Sequence, residues 1–282
     1  MISHVQKVVM RYFFGLIATI PFLTSGQEYR QDIQNISLSG GLSQNTITDI
    51  IQDQQGFLWI GTQDGLNKYD GYEFKVFRTE EGDTSSLTNN YIKSIAMDSL
   101  GHLWLGTQIG LTRYDIQKGS FARYLTQEDP IMMDLRWVIT DVLIDSRGLW
   151  VGTEKGLLHG KSILNPQFKL YDGIPEEANI LQMSSDNTGM LWVVTEGGEL
   201  YYLQNKTFSN LPLKPWKDRN ISVRCMEYFD DQLWFGTNEG LWSLNLRELA
   251  INDWVVDGEM MKTYPNPVEL FDVQSIFKSK DD

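Results

Sequence analysis

Histidine, the commonest general base and metal ligand, occurs only three times in the 282 residues, as His4, His102 and His159. A metal centre or an acid–base pair needs a second histidine or a carboxylate at ligand spacing, and none recurs here. His4 lies in an apolar leader, His102 in a turn and His159 beside a strand, so His102 and His159 are expected to be exposed or locally satisfied. No Gly-x-Ser-x-Gly elbow and no His-Glu-x-x-His motif is present, and the acidic run Glu80-Glu81-Gly82-Asp83 lacks the spacing of a calcium loop. The expectation is no catalytic residue, no metal and no cofactor. Binding chemistry is better represented. Arg136 next to Trp137 pairs a guanidinium able to grip a uronate or sulfate with a ring able to stack on a sugar face. Consecutive strand residues face opposite ways, so core or surface placement competes with joint ligand contact. Trp216, in the proline-flanked loop 211–220, and Tyr72, beside Gly71, are the further candidates.

The elements that must position these residues form a repeat. GFLWIGTQDGLNKYD from Gly56, GHLWLGTQIGLTRYD from Gly101, GLWVGTEKGLLHGK from Gly148, GMLWVVTEGGELYYL from Gly189 and DQLWFGTNEGLWSLN from Asp231 align on Trp59, Trp104, Trp150, Trp192 and Trp234. The tryptophans are 45, 46, 42 and 42 residues apart, too close for domains and right for one supersecondary unit each. In Leu58-Trp59-Ile60-Gly61-Thr62, Trp59 and Gly61 alternate with Leu58, Ile60 and Thr62, which is a strand signal. A glycine three residues after each threonine (Gly65, Gly110, Gly156, Gly198, Gly240) marks a hairpin turn, and a second strand follows. Apolar alternation also precedes each tryptophan, as in residues 47–51 and 91–95, and follows it, as in 72–77 and 120–124. Helical periodicity is nowhere sustained beyond the leader. Four short strands in about 43 residues predict an all-β chain, a β-propeller of four-stranded blades.

In that architecture both faces of a blade must be covered, so the five tryptophans are expected in the core between blades, with the glycine thinning the facing surface. Asp53, Asp98, Asp145 and Asp186 are expected to bond backbone amides of the first hairpin turn. The Asp-x-x-Gly-x-x-Trp phrase is similar to the sialidase Asp box and to the tryptophan docking motif of quinoprotein dehydrogenases. Neither spacing matches, and both of those motifs are structural. Segment 271–276 matches the opening strand of a sixth unit beginning near residue 270, and Ile36-Ser37-Leu38 resembles an outer strand without its own blade. The expectation is five complete blades plus the start of a sixth, part of a seven-bladed ring: a fragment, a truncated product or half of an assembly formed in trans.

Residues 1–26 have Lys7 and Arg11, an apolar run over 12–23 and a small polar end, the layout of a secretory signal peptide, which leaves 27–282 as the partial propeller. The run is shorter than the ~20 residues that a spanning helix needs. With 24 basic against 37 acidic residues the net charge is −13, which repels phosphate backbones and excludes nucleic acid as an expected partner. Cys225 is the only cysteine, so no internal disulfide can form.

The repeated GxLWxGTxxGLxxYD, the phrase GGLSQNTITDIIQDQQGFLWIGTQDGLNKYDGYEF over 40–74 and EGDTSSLTNNYIKSI over 81–95 resemble the two-component regulator propeller family. The resemblance covers essentially 33–282. The third copy departs by one residue missing before Trp150, the fourth by Val194 in place of glycine, and the fifth by loss of the glycine in the first turn. It implies a periplasmic sensor region of a histidine kinase or hybrid two-component receptor of Bacteroidota type. The expected ligand is a glycan or oligosaccharide, and the expected partner is the propeller of a second copy or a downstream kinase module. Full-length relatives are anchored in the inner membrane and carry the kinase. The different-class alternative is an exported stand-alone propeller that binds proteins or glycans without phosphorelay.

Overall fold

The computed structural model describes residues 40–126, 138–175, 177–213, 221–251, 256 and 261–264. The leader, the segment near residue 270 expected to start a sixth unit, and Arg136, Trp137 and Trp216 lie outside the described residues. Within them, five antiparallel sheets follow one another along the chain. The first comprises β1 (Ile47–Gln52), β2 (Leu58–Thr62), β3 (Gly65–Tyr69) and β4 (Phe74–Phe77). The second comprises β5 (Ile92–Met97), β6 (His102–Thr107), β7 (Gly110–Asp115) and β8 (Ser120–Tyr124). The third holds β9 (Ile139–Asp145), β10 (Gly148–Thr153), β11 (Gly156–Gly160) and β12 (Phe168–Leu170). The fourth holds β13 (Ile180–Ser185), β14 (Leu191–Thr195), β15 (Leu200–Gln204) and β16 (Thr207–Leu211). The fifth holds β17 (Val223–Phe229), β18 (Gln232–Thr237), β19 (Gly240–Asn245) and β20 (Met261–Tyr264). Strands pair strictly in chain order within each sheet, and the first strand of each sheet packs beside the first strand of the next. This is an all-β propeller of five four-stranded blades.

One element was not anticipated. Helix α1 (Leu246–Ile251) sits between β19 and β20, its first amides at Arg247 and Glu248 donating to Asn245 Oδ1 and the Asn245 amide donating to Glu248 Oε1. Leu249 is fully buried and ties the turn of helix to the fifth blade.

Four of the five tryptophans do the expected packing; the fifth, Trp234, is only half-buried and stacks on Phe229 of its own blade with centroids 4.9 Å apart. Trp59 is buried with Ile92, Ile95, Leu103 and Leu105 of the second blade, Trp104 with Ile139, Val142, Leu149 and Val151 of the third, and Trp150 with Ile180, Met183, Leu191 and Val193 of the fourth. Trp192 completes the series against Val223, Met226, Leu233 and Phe235 of the fifth. Glycine makes the close approach possible: a Cβ on Gly106 would stand 2.7 Å from Ile139 Cγ2, and one on Gly152 2.7 Å from Ile180 Cγ2. In the fourth blade Val194 takes that position, and its cluster contains Val223 where the other blades present isoleucine.

The turn aspartates bond the amides as expected and also do something the sequence reading missed. Asp53 Oδ1 accepts the N–H of Gln55 and Phe57, while Oδ2 accepts the Trp59 indole N–H at 2.8 Å. Asp98 and Asp186 repeat this with Trp104 and Trp192, each at 3.0 Å. One carboxylate therefore closes the turn and satisfies the polar edge of the buried ring. In the third blade, one residue shorter, the Asp145 carboxylate turns to the Arg147 amide and guanidinium, and the Trp150 indole N–H has no partner among the described residues.

A second linkage joins the blades. Every inner strand carries a β-bulge at the same place, with Thr48, Lys93, Thr140, Leu181 and Arg224 as the extra residues. The bulge turns the next side chain toward the following blade, whose inner edge has backbone N–H groups that no further strand can pair. Asp49 accepts from Ile95 N at 2.6 Å, Ser94 from Val142 N at 3.1 Å, Asp141 from Met183 N at 2.6 Å and Gln182 from Met226 N at 2.8 Å. Burial drives both carboxyls up. Asp49 is raised to about 7, with the charges of Asp141 and Glu227 adding to the effect against the N–H groups of Ile95 and Ile50. Asp141 is raised to about 6 against donors from Met183, Ser94 and Val142.

Three outcomes follow. Asp53→Ala removes three donors' acceptor, one of them a buried indole, and is expected to cost about 2–4 kcal/mol in chemical denaturation; Asp145→Ala, with no indole to orphan, should cost roughly half as much. Gly106→Val forces methyl groups into Ile139 and Val142 and should cost about 1–3 kcal/mol by the same measurement. Asp49 and Asp141 bind protons more tightly in the folded than in the unfolded chain. Their contribution to stability is therefore full below the ordinary value of 3.8 and is lost as pH rises through about 6 and about 7. The Asp49→Asn, Asp141→Asn double variant, which keeps an acceptor oxygen at each site, should flatten that decline in denaturation midpoints read from about pH 4 to about pH 8. An unchanged slope would remove these two groups as its source.

Candidate functional site

A concave cleft lies at the outer margins of the third and fourth blades. Trp150, His159 and Lys169 are register partners across β10, β11 and β12, so they share one face, the face turned to the fourth blade. In the first two blades the residue beside the tryptophan is a cation, Lys68 or Arg113, lying over the ring. In the third blade His159 stacks on Trp150 instead, with centroids 3.9 Å apart and planes at 22°. Its Nε2–H donates to the Arg147 carbonyl at 3.1 Å, and burial holds its pKa below the usual imidazole value, so it is neutral at neutral pH.

Tyr171, just past β12, packs edge-on to Trp150 and to Phe208 of the fourth blade. Its hydroxyl donates to the Lys206 carbonyl at 3.1 Å, holding the β15–β16 turn against the third blade. That turn is the two-residue pair Asn205-Lys206, both in the left-handed region at φ 51° and 67°. The open space is about 560 Å³, and Lys161, Lys169, Lys206, His159, Tyr171 and Asp172 line it. The three lysines are exposed and make no ion pair among the described residues, so the cleft is a positive recess on an acidic chain.

Tyr72, which the sequence singled out, is 94% exposed in the β3–β4 turn of the first blade, where its amide donates to Asp70 Oδ1. It is on a different blade from the cleft. Arg136, Trp137 and Trp216 lie outside the described residues. His102 is satisfied locally, its Nδ1 2.9 Å from Asp98 Oδ2. Cys225 is buried and forms no disulfide, and burial pushes its thiol up to about 11. Among the described residues no group of three His, Cys, Asp or Glu is placed to hold a metal ion, and no helix is long and apolar enough to cross a membrane. Sequence reasoning missed the cleft's lysines. The one signal was the missing residue before Trp150, which marks the third blade as the exception.

Comparison with known proteins places this geometry. The family profile described as two component regulator propeller matches residues 41–64 and 86–108, the first two blades' inner hairpins. A 47-residue stretch is 53% identical to Histidine kinase P4 of Formosa agariphila, covering 17% of this chain and 3% of that protein. The extracellular domain of a protein assigned to the hybrid two-component systems of B. thetaiotaomicron superposes with a TM-score of 0.63 at 28% identity, covering 76% of this chain and 30% of that one. A second extracellular domain from the same organism, assigned to a one-component system, gives a TM-score of 0.65 at 19% identity over 85% of this chain and 32% of that one, a likeness of fold. The chain thus spans about a third of the length of these extracellular domains. Its first two blades match the two-component regulator propeller family, and the chain is similar to the extracellular domain of a B. thetaiotaomicron hybrid two-component system.

Proposed function

We propose that this chain is a ligand-binding sensor propeller of a two-component signalling receptor, exported to the periplasm and responsive to carbohydrate. The observation that carries the reading is the 28% identity, over 76% of the chain, with the extracellular domain of a Bacteroides hybrid two-component system. The signal-peptide layout of residues 1–26 supports export. The role is binding and association: ligand biases the packing of blades, and of propellers between partner chains, and a histidine kinase module reads out the two-state shift. Arg136 and Trp137, just before β9, Trp216, before β17, and Tyr72 are the proposed sugar-contacting residues at loops where the blades differ.

The test is a thermal-shift panel on the full chain with neutral, uronate-containing and sulfated oligosaccharides, beside amino acids and peptides. At about a hundredfold excess over Kd, a true ligand adds ~2.7 kcal/mol of stability and raises Tm by a few degrees. At least one oligosaccharide is expected to do so without being cleaved. A shift given by peptides or amino acids alone would remove carbohydrate from the reading, and turnover would make the protein an enzyme.

A further inference from the structure

We propose that the cleft between the third and fourth blades is an anion-binding subsite that takes the carboxylate or sulfate groups of an acidic oligosaccharide, an inference that rests on the carbohydrate reading above. Three independent features converge on it. The first is charge: Lys161, Lys169 and Lys206 bring three ammonium groups to one recess, against the single carboxylate of Asp172, in a chain of net charge −13. Ammonium groups that make no ion pair among the described residues, at the wall of a concave site, are placed to receive anionic oxygens.

The second feature is backbone. Lys206 occupies the second position of a tight hairpin turn at φ 67°, where glycine is the favoured residue and a lysine costs about 1 kcal/mol. The Tyr171 hydroxyl bond to the Lys206 carbonyl holds that turn at the cleft wall and so fixes where its ammonium stem begins. The third feature is an aromatic wall. His159 and Tyr171 line the space, and His159 is backed by Trp150, which gives a sugar ring an apolar surface between the charged groups. A volume of about 560 Å³ accommodates a short oligosaccharide rather than a single ion.

The full chain and a Lys169→Gln, Lys206→Gln variant would be titrated by calorimetry with an oligouronate, a sulfated oligosaccharide, a neutral oligosaccharide of equal length and poly-glutamate. Both lysines are exposed, so the variant should melt with the parent chain. The expected result is binding of one or both acidic oligosaccharides, weakened about tenfold or more in the variant and by high salt in the parent. The uronate and sulfate arms tell the two groups apart. Equal binding by parent and variant, or binding of the neutral oligosaccharide alone, overturns the subsite and leaves the sensor reading standing. Binding of poly-glutamate with no oligosaccharide overturns the sugar as ligand and with it the carbohydrate reading. No binding of any anion overturns the subsite outright.

Discussion

A four-stranded blade has two apolar faces and can cover neither by itself, and most of the molecule answers to that constraint. Trp59, Trp104, Trp150 and Trp192 are each buried by the blade that follows, and in the first three of those blades a thinning glycine lets the next blade's first strand come close enough to do so. The ring carries a polar edge that is costly to leave dry, and in three of the blades the aspartate that closes the preceding turn also accepts its N–H. Packing, turn geometry and polar satisfaction meet in a single pair of side chains.

The same logic governs the inner edge. The first strand of a blade has no strand beyond it, and its exposed amides are met by a side chain from the preceding blade, delivered by a bulge. Asp49 and Asp141 perform this at the cost of burying carboxyl groups, whereas Ser94 and Gln182 do it with neutral oxygens. The joints are therefore chemically unequal although geometrically alike. The contacts that respond most to pH are at the first-to-second and third-to-fourth joints.

Much of the architecture was legible in the residues. Period-two alternation located the strands, the glycine after each threonine located the hairpins, and the recurrence of Trp-x-Gly named both the packing face and the space opposite it. The bulge contacts were hidden because Asp49, Ser94, Asp141 and Gln182 share a register and a role but are two aspartates, a serine and a glutamine. Helix α1 announced itself only by Asn245 and Glu248, a short capping pair beside a strongly repetitive strand signal. The missing residue before Trp150 marked the third blade as an exception, but the cleft's lysines could not be read: Lys169 and Lys206 belong to different blades, and only the stacking of sheets makes them neighbours. Tyr72 drew attention as a large aromatic in a loop, and it stands in an exposed turn well separated in sequence from that cleft.

The interblade contacts all run the same way along the chain. A blade offers its tryptophan face and its bulge acceptor forward, and only the residues made next can occupy them. On a ribosome, each newly emerged blade would carry an uncovered ring until the following one had left the exit tunnel. The interval between one tryptophan and the next would then set how long an adhesive surface stays open during synthesis.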